Sequence, residues 1–203
     1  MDEVLEAALH KDCPLGMDWS GVMIHDGWLV YDHFEQAEHQ QCLAHLSRRL
    51  TGLMETAVGG AVHFPRRIAE LVDRAFTLRR DYRSQLITSD DMAVGGLYLS
   101  VELEEAVSHP LQHPANERLR KHLSHHLREW FWFLYNPAIE ATNWWSEQAL
   151  HPAVVNRKDW GGNRTWLGAH AQSVLSSILT TCRLLSHSAL NFLSSTTPIL
   201  LPR

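Results

Sequence analysis

The chain has 203 residues and a formal net charge of −5, with 45% hydrophobic and 20% charged residues. This is ordinary globular composition, sufficient for one domain with a sizeable core, or one domain and an appendage. The acidic balance argues mildly against nucleic-acid binding. No run approaches the roughly 18 apolar residues of a membrane span, and the acidic start reads as helix and not as a signal peptide, so a cytoplasmic protein with no membrane partner is expected.

Residues 2–10 predict a short helix, broken at Pro14-Leu-Gly16. Ser20-Gly21 leads into Val22-Met-Ile24, an apolar run between turn signals that predicts a buried strand, ended by Asp26-Gly27. A helix is predicted over Glu38–Leu50, with Cys42, Leu43, Leu46 and Leu50 on its apolar face. From about Phe64 to Tyr135 the pattern is helical. Ile68, Leu71, Val72, Ala75 and Phe76 form one stripe, and Leu119, Leu123, Leu127, Trp130 and Leu134 a second. The stretch from Leu97 to Val107 is ambiguous, and Pro110 and Pro114 mark a loop. Asn136-Pro137 supplies a cap and a first-turn proline for a helix to Leu150, which His151-Pro152 ends. A loop from Val154 to Thr165 carries Gly161-Gly162. The last helix is predicted over Trp166–Leu193, with Ala171, Leu175, Ile178, Cys182, Leu185 and Ala189 on one face. The tail from Ser194 to Pro198 is expected to fray.

Two carboxylates stand out. Asp26 ends a strand, and Glu147 lies on a predicted helix where Glu140 and Asn143 share its face. Carboxylates on a strand end and a helix suit two-metal phosphoryl transfer, which normally needs a third. The alternatives are a turn residue for Asp26 and a solvated surface residue for Glu147. Arg157, Lys158 and Arg164, in and beside a glycine-rich loop, could neutralise phosphates. Arg48-Arg49, Arg66-Arg67, Arg79-Arg80, Arg83 and Arg118-Leu-Arg120 are further candidate phosphate contacts, or solvated helix faces.

Cys42-x-x-His45 has the spacing of half a zinc site, but no second pair follows. The alternative is a helix-borne cysteine and histidine packed against the sheet. The three cysteines fit reduced thiols, and the fourteen histidines repeat no ligand spacing. Trp130, Trp132, Trp144, Trp145, Trp160 and Trp166 could stack on unpaired bases. The commoner role of aromatics at helical spacing is core packing.

These motifs, in this order, carry a resemblance. Asp26-Gly-Trp28 with Tyr31-Asp32, His39-Gln-Gln-Cys42-Leu-Ala-His45 with Arg48-Arg49, Asn143-Trp144, Glu147-Gln-Ala-Leu150, Asn156-Arg-Lys158, Gly161-Gly-Asn-Arg-Thr165 and Thr181-Cys-Arg183 resemble the C-terminal portion of bacterial transposases of the insertion sequence 66 family, over about residues 15–195. That family belongs to the DDE superfamily, with an RNase H-like catalytic core. The resemblance implies that Asp26 is the second catalytic carboxylate and Glu147 the third, both ligands of Mg2+ or Mn2+. It implies that Arg157, Lys158 and Arg164 hold DNA, and it leaves the role of Cys42 and His45 open.

The implied fold is mostly α with a small α/β part, an incomplete RNase H-like core with a large helical insertion. Residues 1–62 would form the partial core, 63–136 the insertion, 137–195 the glutamate helix, basic loop and last helix, and 196–203 a tail. Partners would be transposon ends and target DNA, with self-association possible. The family's first catalytic aspartate has no counterpart, since Asp2, Asp12 and Asp18 sit in no strand-like context. Trp145 and His151 stand where many relatives resemble Arg. The expectation is a truncated transposase that does not cleave DNA alone. The alternatives are a non-catalytic DNA-binding remnant and a helical interaction module without a nucleic-acid role.

Overall fold

The computed structural model describes residues 18–196. The chain divides into two compact units, Met1–Asn143 and Trp144–Arg203. The predicted helix over residues 2–10, the break at Pro14-Leu-Gly16, Asp2, Asp12, Cys13 and the end of the tail lie outside the described residues.

The first unit is a helical layer with a two-stranded parallel sheet. β1 (Val22–His25) pairs with β2 (Glu38–Gln41), with Val22 opposite Glu38 and His25 opposite Gln41. A 3-10 turn, Leu29–His33, lies in the connection. β1 is the predicted strand, with Met23 and His25 buried. β2 corrects the helix predicted over Glu38–Leu50: only its second part is helical, as α1 (Leu43–Thr56). A strand of sequence Glu-His-Gln-Gln has no apolar alternation to announce it, and distant partners hold it instead. Buried Gln40 donates its amide to the Gln41 and Trp130 carbonyls at 2.7 and 3.1 Å, and its carbonyl accepts from the Phe133 amide at 2.9 Å. Gln41 N–H bonds to the Glu129 carbonyl at 2.9 Å. Primary amides therefore do the pairing a third strand would do, and no buried polar group on Gln40 is left wanting.

α2 (His63–Arg83), α3 (Ser89–Val107), α4 (Pro114–His125) and the short α5 (Trp132–Tyr135) complete the unit. The α2 stripe is buried at Ile68, Leu71, Val72 and Ala75, whereas Phe76 is exposed. The ambiguous Leu97–Val107 stretch is helical; Thr88 and Asp91 form a capping box at the start of α3. Leu119, Leu123, Trp130 and Leu134 all reach the core, but not from one helix: α4 stops at His125, and Trp130 arrives from the turn beyond it.

The helix predicted from Pro137 is also corrected. Asn136 Oδ1 accepts from Ala138 N–H and caps one turn only. The Pro137 and Ile139 carbonyls, which a helix would have used, go to buried Arg79 Nη2 at 2.6 and 2.9 Å. Helix begins again only at Trp144, the start of the second unit.

That unit contains α6 (Trp144–Trp160), α7 (Trp166–Leu184) and α8 (Ala189–Thr196). α6 runs through Pro152 instead of ending before it, and includes much of the predicted loop. An interior proline removes one helical hydrogen bond at a cost of about 3 kcal/mol; the helix formers Glu147-Gln-Ala-Leu150 before it and Ala153 after it favour continuation. The predicted last helix is two helices. Ser186 takes a left-handed conformation (φ 55°), with His187 N–H on the Cys182 carbonyl and Ser186 N–H on that of Arg183, a helix-terminating pattern. Of the expected α7 face only Cys182 is buried, while Leu175 and Leu185 are exposed. Among the described residues, no helix is long and apolar enough to cross a membrane.

Candidate functional site

Asp26 leaves the C-terminal end of β1 and is exposed. Its Oδ1 accepts the Trp28 amide at 3.2 Å, the local turn that Asp side chains favour. Gly27 is in the left-handed region (φ +84°), and a Cβ there would meet Gln41 Oε1 and His122 Cε1, each at 2.8 Å. Only glycine fits both the conformation and the space.

Behind this turn lies a polar cluster that the sequence reading did not find. Gly27 N–H donates to His25 Nδ1 at 3.1 Å. The proton of the neutral His25 ring is therefore on Nε2, which donates to His39 Nδ1 at 2.9 Å. His39 in turn donates Nε2–H to the Phe34 carbonyl at 3.1 Å. Burial, and then His39, push His25 down to about 4, so near neutral pH the His25 ring is uncharged. Glu129 accepts from the Gln41 amide at 2.7 Å and from His126 Nδ1–H at 2.9 Å. These bonds hold it below the usual carboxylate range although burial opposes them. The cluster is gathered from positions 25, 39, 41, 126 and 129, so no sequence spacing could have revealed it. The one available signal was polar residues at strand positions.

Cys42 is buried at the head of α1, and its Sγ accepts the Asn143 amide at 3.4 Å. His45 lies one turn further on, half-buried. Among the described residues neither belongs to a group of three metal-capable donors.

Glu147 stands in the first turn of α6, half-exposed, in the second unit. The face it was predicted to share is not formed. Glu140 belongs to the first unit and pairs with Arg83 at 2.7 Å, and Asn143 precedes the helix. Arg157 and Lys158 occupy the last turn of α6, where the helix dipole favours cations. Gly161 and Gly162 turn the chain with φ of 79° and 84°. Arg164 follows, and Thr165 caps α7 by accepting the Gly168 amide. All three cations are exposed. A groove between α6 and α7, lined by Ala153, Arg157, Gly162, Asn163, Gln172 and Ser173, runs beside the loop.

Several other basic clusters are committed within the first unit. Arg67 pairs with Glu105 and Arg74 with Glu102. Arg79 is buried, neither a phosphate contact nor a solvated face. Arg120 grips Glu117, which with the Leu111 amide holds that carboxyl down at about 2. The tryptophans divide: Trp130 is core, but Trp144, Trp145, Trp160 and Trp166 in the second unit are 50–87% exposed, which corrects a uniform core role.

A family model described as "Transposase IS66 family" matches residues 3–171. No curated protein matches the chain. No solved structure matches it.

Proposed function

The chain belongs to the IS66 family of transposases, and from that membership we propose that it serves DNA transposition, with Asp26 and Glu147 as carboxylates of a phosphoryl-transfer site on an RNase H-like core. The exposed cations Arg157 and Lys158 at the end of the glutamate helix and Arg164 in the loop after it carry this reading. These cations remain in the open while those of the first unit are largely engaged. Asp26 and Glu147 are hard oxygen donors of the kind that Mg2+ or Mn2+ takes. Asp26 is exposed, its Oδ1 accepts the Trp28 amide, and the Gly27 amide that follows it is held by His25 Nδ1. A divalent ion bound there would supply charge neutralisation and activation of an attacking oxygen. The chain's own contribution is to hold Asp26 at the strand end and to bind phosphates with Arg157, Lys158 and Arg164. Parallel pairing of β1 and β2, with the acidic residue at a strand's C-terminal end, supports the RNase H-like assignment.

A second reading is DNA binding without cleavage. It is favoured because Asp26 joins no group of three metal-capable donors among the described residues, and hard-cation sites for phosphoryl transfer draw on several carboxylates together.

Duplex binding followed by fluorescence anisotropy tests both readings. Three phosphate contacts give log K against log[salt] a slope of about −2.7, and replacing Arg157, Lys158 and Arg164 by Ala should flatten it. A flat slope in the unaltered chain rejects a role on DNA. Nicking of supercoiled plasmid with Mg2+ or Mn2+, compared with Glu147→Ala, separates the two. We expect no difference for this chain alone; metal-dependent nicking lost in the variant would establish the catalytic reading.

A further inference from the structure

The turn after Asp26 and the end of α4 meet in a cluster that plays no part in the proposed transposition chemistry. Asp32 lies in the Leu29–His33 turn, His125 is the last residue of α4, and His126 follows it. One donor atom from each of the three lies within 4.8 Å of the other two. His125 Nε2 is 3.5 Å from Asp32 Oδ2, and the two imidazoles stand edge to face with centroids 4.5 Å apart. The side chains of Asp32 and His125 are 34% and 63% exposed, whereas His126 is 2% exposed.

His126 is prepared in a way that the other two are not. Its Nδ1–H donates to the Glu129 carboxylate, which the Gln41 amide holds from behind. In the neutral ring this leaves the lone pair on Nε2. A carboxylate behind the imidazole, fixing tautomer and ring orientation, is the arrangement found behind metal-ligating histidines. The neighbouring group of His25, His39 and Glu129 is equally compact but lacks this property. Each of its ring nitrogens is already committed, His25 Nδ1 to Gly27 N–H, His25 Nε2–H to His39 Nδ1, and His39 Nε2–H to the Phe34 carbonyl. A metal ion on His25 Nε2 would require a proton on Nδ1, against the Gly27 amide.

We propose that Asp32, His125 and His126 bind one divalent transition-metal ion, zinc by preference, which ties the turn following Asp26 to the end of α4. Two imidazoles and one carboxylate are a donor set for Zn2+, Co2+, Ni2+ or Cu2+, not for Mg2+ or Ca2+. Tetrahedral bonds of about 2.0–2.1 Å place donors about 3.3 Å apart. The closure this requires falls on Asp32 and His125, the exposed members, while His126 stays where Glu129 holds it. Solvent on the Asp32 and His125 side supplies the remaining coordination. Metal binding here does not depend on any role of the chain on DNA.

Titration of the full chain with Co2+, followed by visible absorption and calorimetry, tests it. We expect saturation at one ion per chain, displacement by Zn2+, no displacement by equimolar Mg2+, and a rise in Tm with Zn2+. Asp32→Asn and His125→Gln alter exposed side chains, so folding is retained; each should weaken binding at least ~10-fold. Glu129→Gln should weaken it by about 10–100-fold without removing a ligand. His187→Gln, in the other unit, should change nothing. Absence of saturable binding, displacement by Mg2+, or affinity unchanged in an Asp32→Asn, His125→Gln double variant would overturn the proposal, the last by placing the metal on other histidines.

Discussion

Gly27 sets how Asp26 is presented, through what it lacks. At φ +84°, with Gln41 Oε1 and His122 Cε1 each 2.8 Å from where a Cβ would lie, Gly27→Ala must strain the backbone and displace a buried amide together. A loss of about 1–3 kcal/mol is expected, measured as a lower urea midpoint with an unchanged m-value. Glu117 gives a prediction in pH. It accepts from Arg120 at 2.7 and 2.8 Å and from the Leu111 amide at 2.9 Å, and these bonds hold its carboxyl at about 2 against an ordinary 4.5. The stability it contributes is full above pH 4.5 and is lost as pH falls from 4.5 toward 2, because the unfolded carboxyl takes its proton first. Glu117→Gln should flatten the Tm profile in that window; an unchanged profile would show that other carboxylates dominate it.

The elements end in two similar ways, and one end offers a gain. Gln85 closes α2 with φ 59°, its amide on the Tyr82 carbonyl and the Leu86 amide on that of Asp81, as Ser186 closes α7. A residue with a Cβ pays about 1 kcal/mol there, so Gln85→Gly should raise stability by up to that amount in chemical denaturation. Arg79 acts oppositely: Arg79→Ala would leave the Pro137 and Ile139 carbonyls without their donor, and a loss of about 2–3 kcal/mol is expected in the same assay.

The same elements show where the sequence was readable. β1 was legible because Val22-Met-Ile24 is apolar between turns, and α2 because Ile68, Leu71, Val72 and Ala75 keep helical spacing. β2 was not, because its stability resides in Gln40 and Gln41 amides that find partners near positions 129–133. Asn136-Pro137 imitates a helix start that Arg79 prevents. Of the site, Asp26 after a strand and Glu147 on a helix could be read, and the exposed cations too, but not that Arg157 and Lys158 lie on the helix where a loop was expected; the imidazole relay could not, since its bonds join residues with no common spacing.

Across the whole molecule, burial is uneven. Nearly every core side chain among the described residues belongs to the first unit, while α6 has none buried. Amides of α6 should therefore exchange with deuterium faster than those of α2 and α3. Equal protection would mean that another molecule covers the exposed tryptophans. The clamp on β2 adds a consequence in time. Gln41 N–H donates to the Glu129 carbonyl, Gln40 donates to the Trp130 carbonyl and accepts from Phe133 N–H, and Leu43 N–H donates to the Ala141 carbonyl. A ribosome adding about 5–20 residues per second needs about 5–20 s to travel that distance. For that interval the strand beside Asp26 exists as an uncompleted edge on a nascent chain, open to holdase chaperones. A synonymous codon change that slows translation between Gln41 and Ala141 should prolong that window and raise the insoluble fraction, without altering one atom of the finished protein.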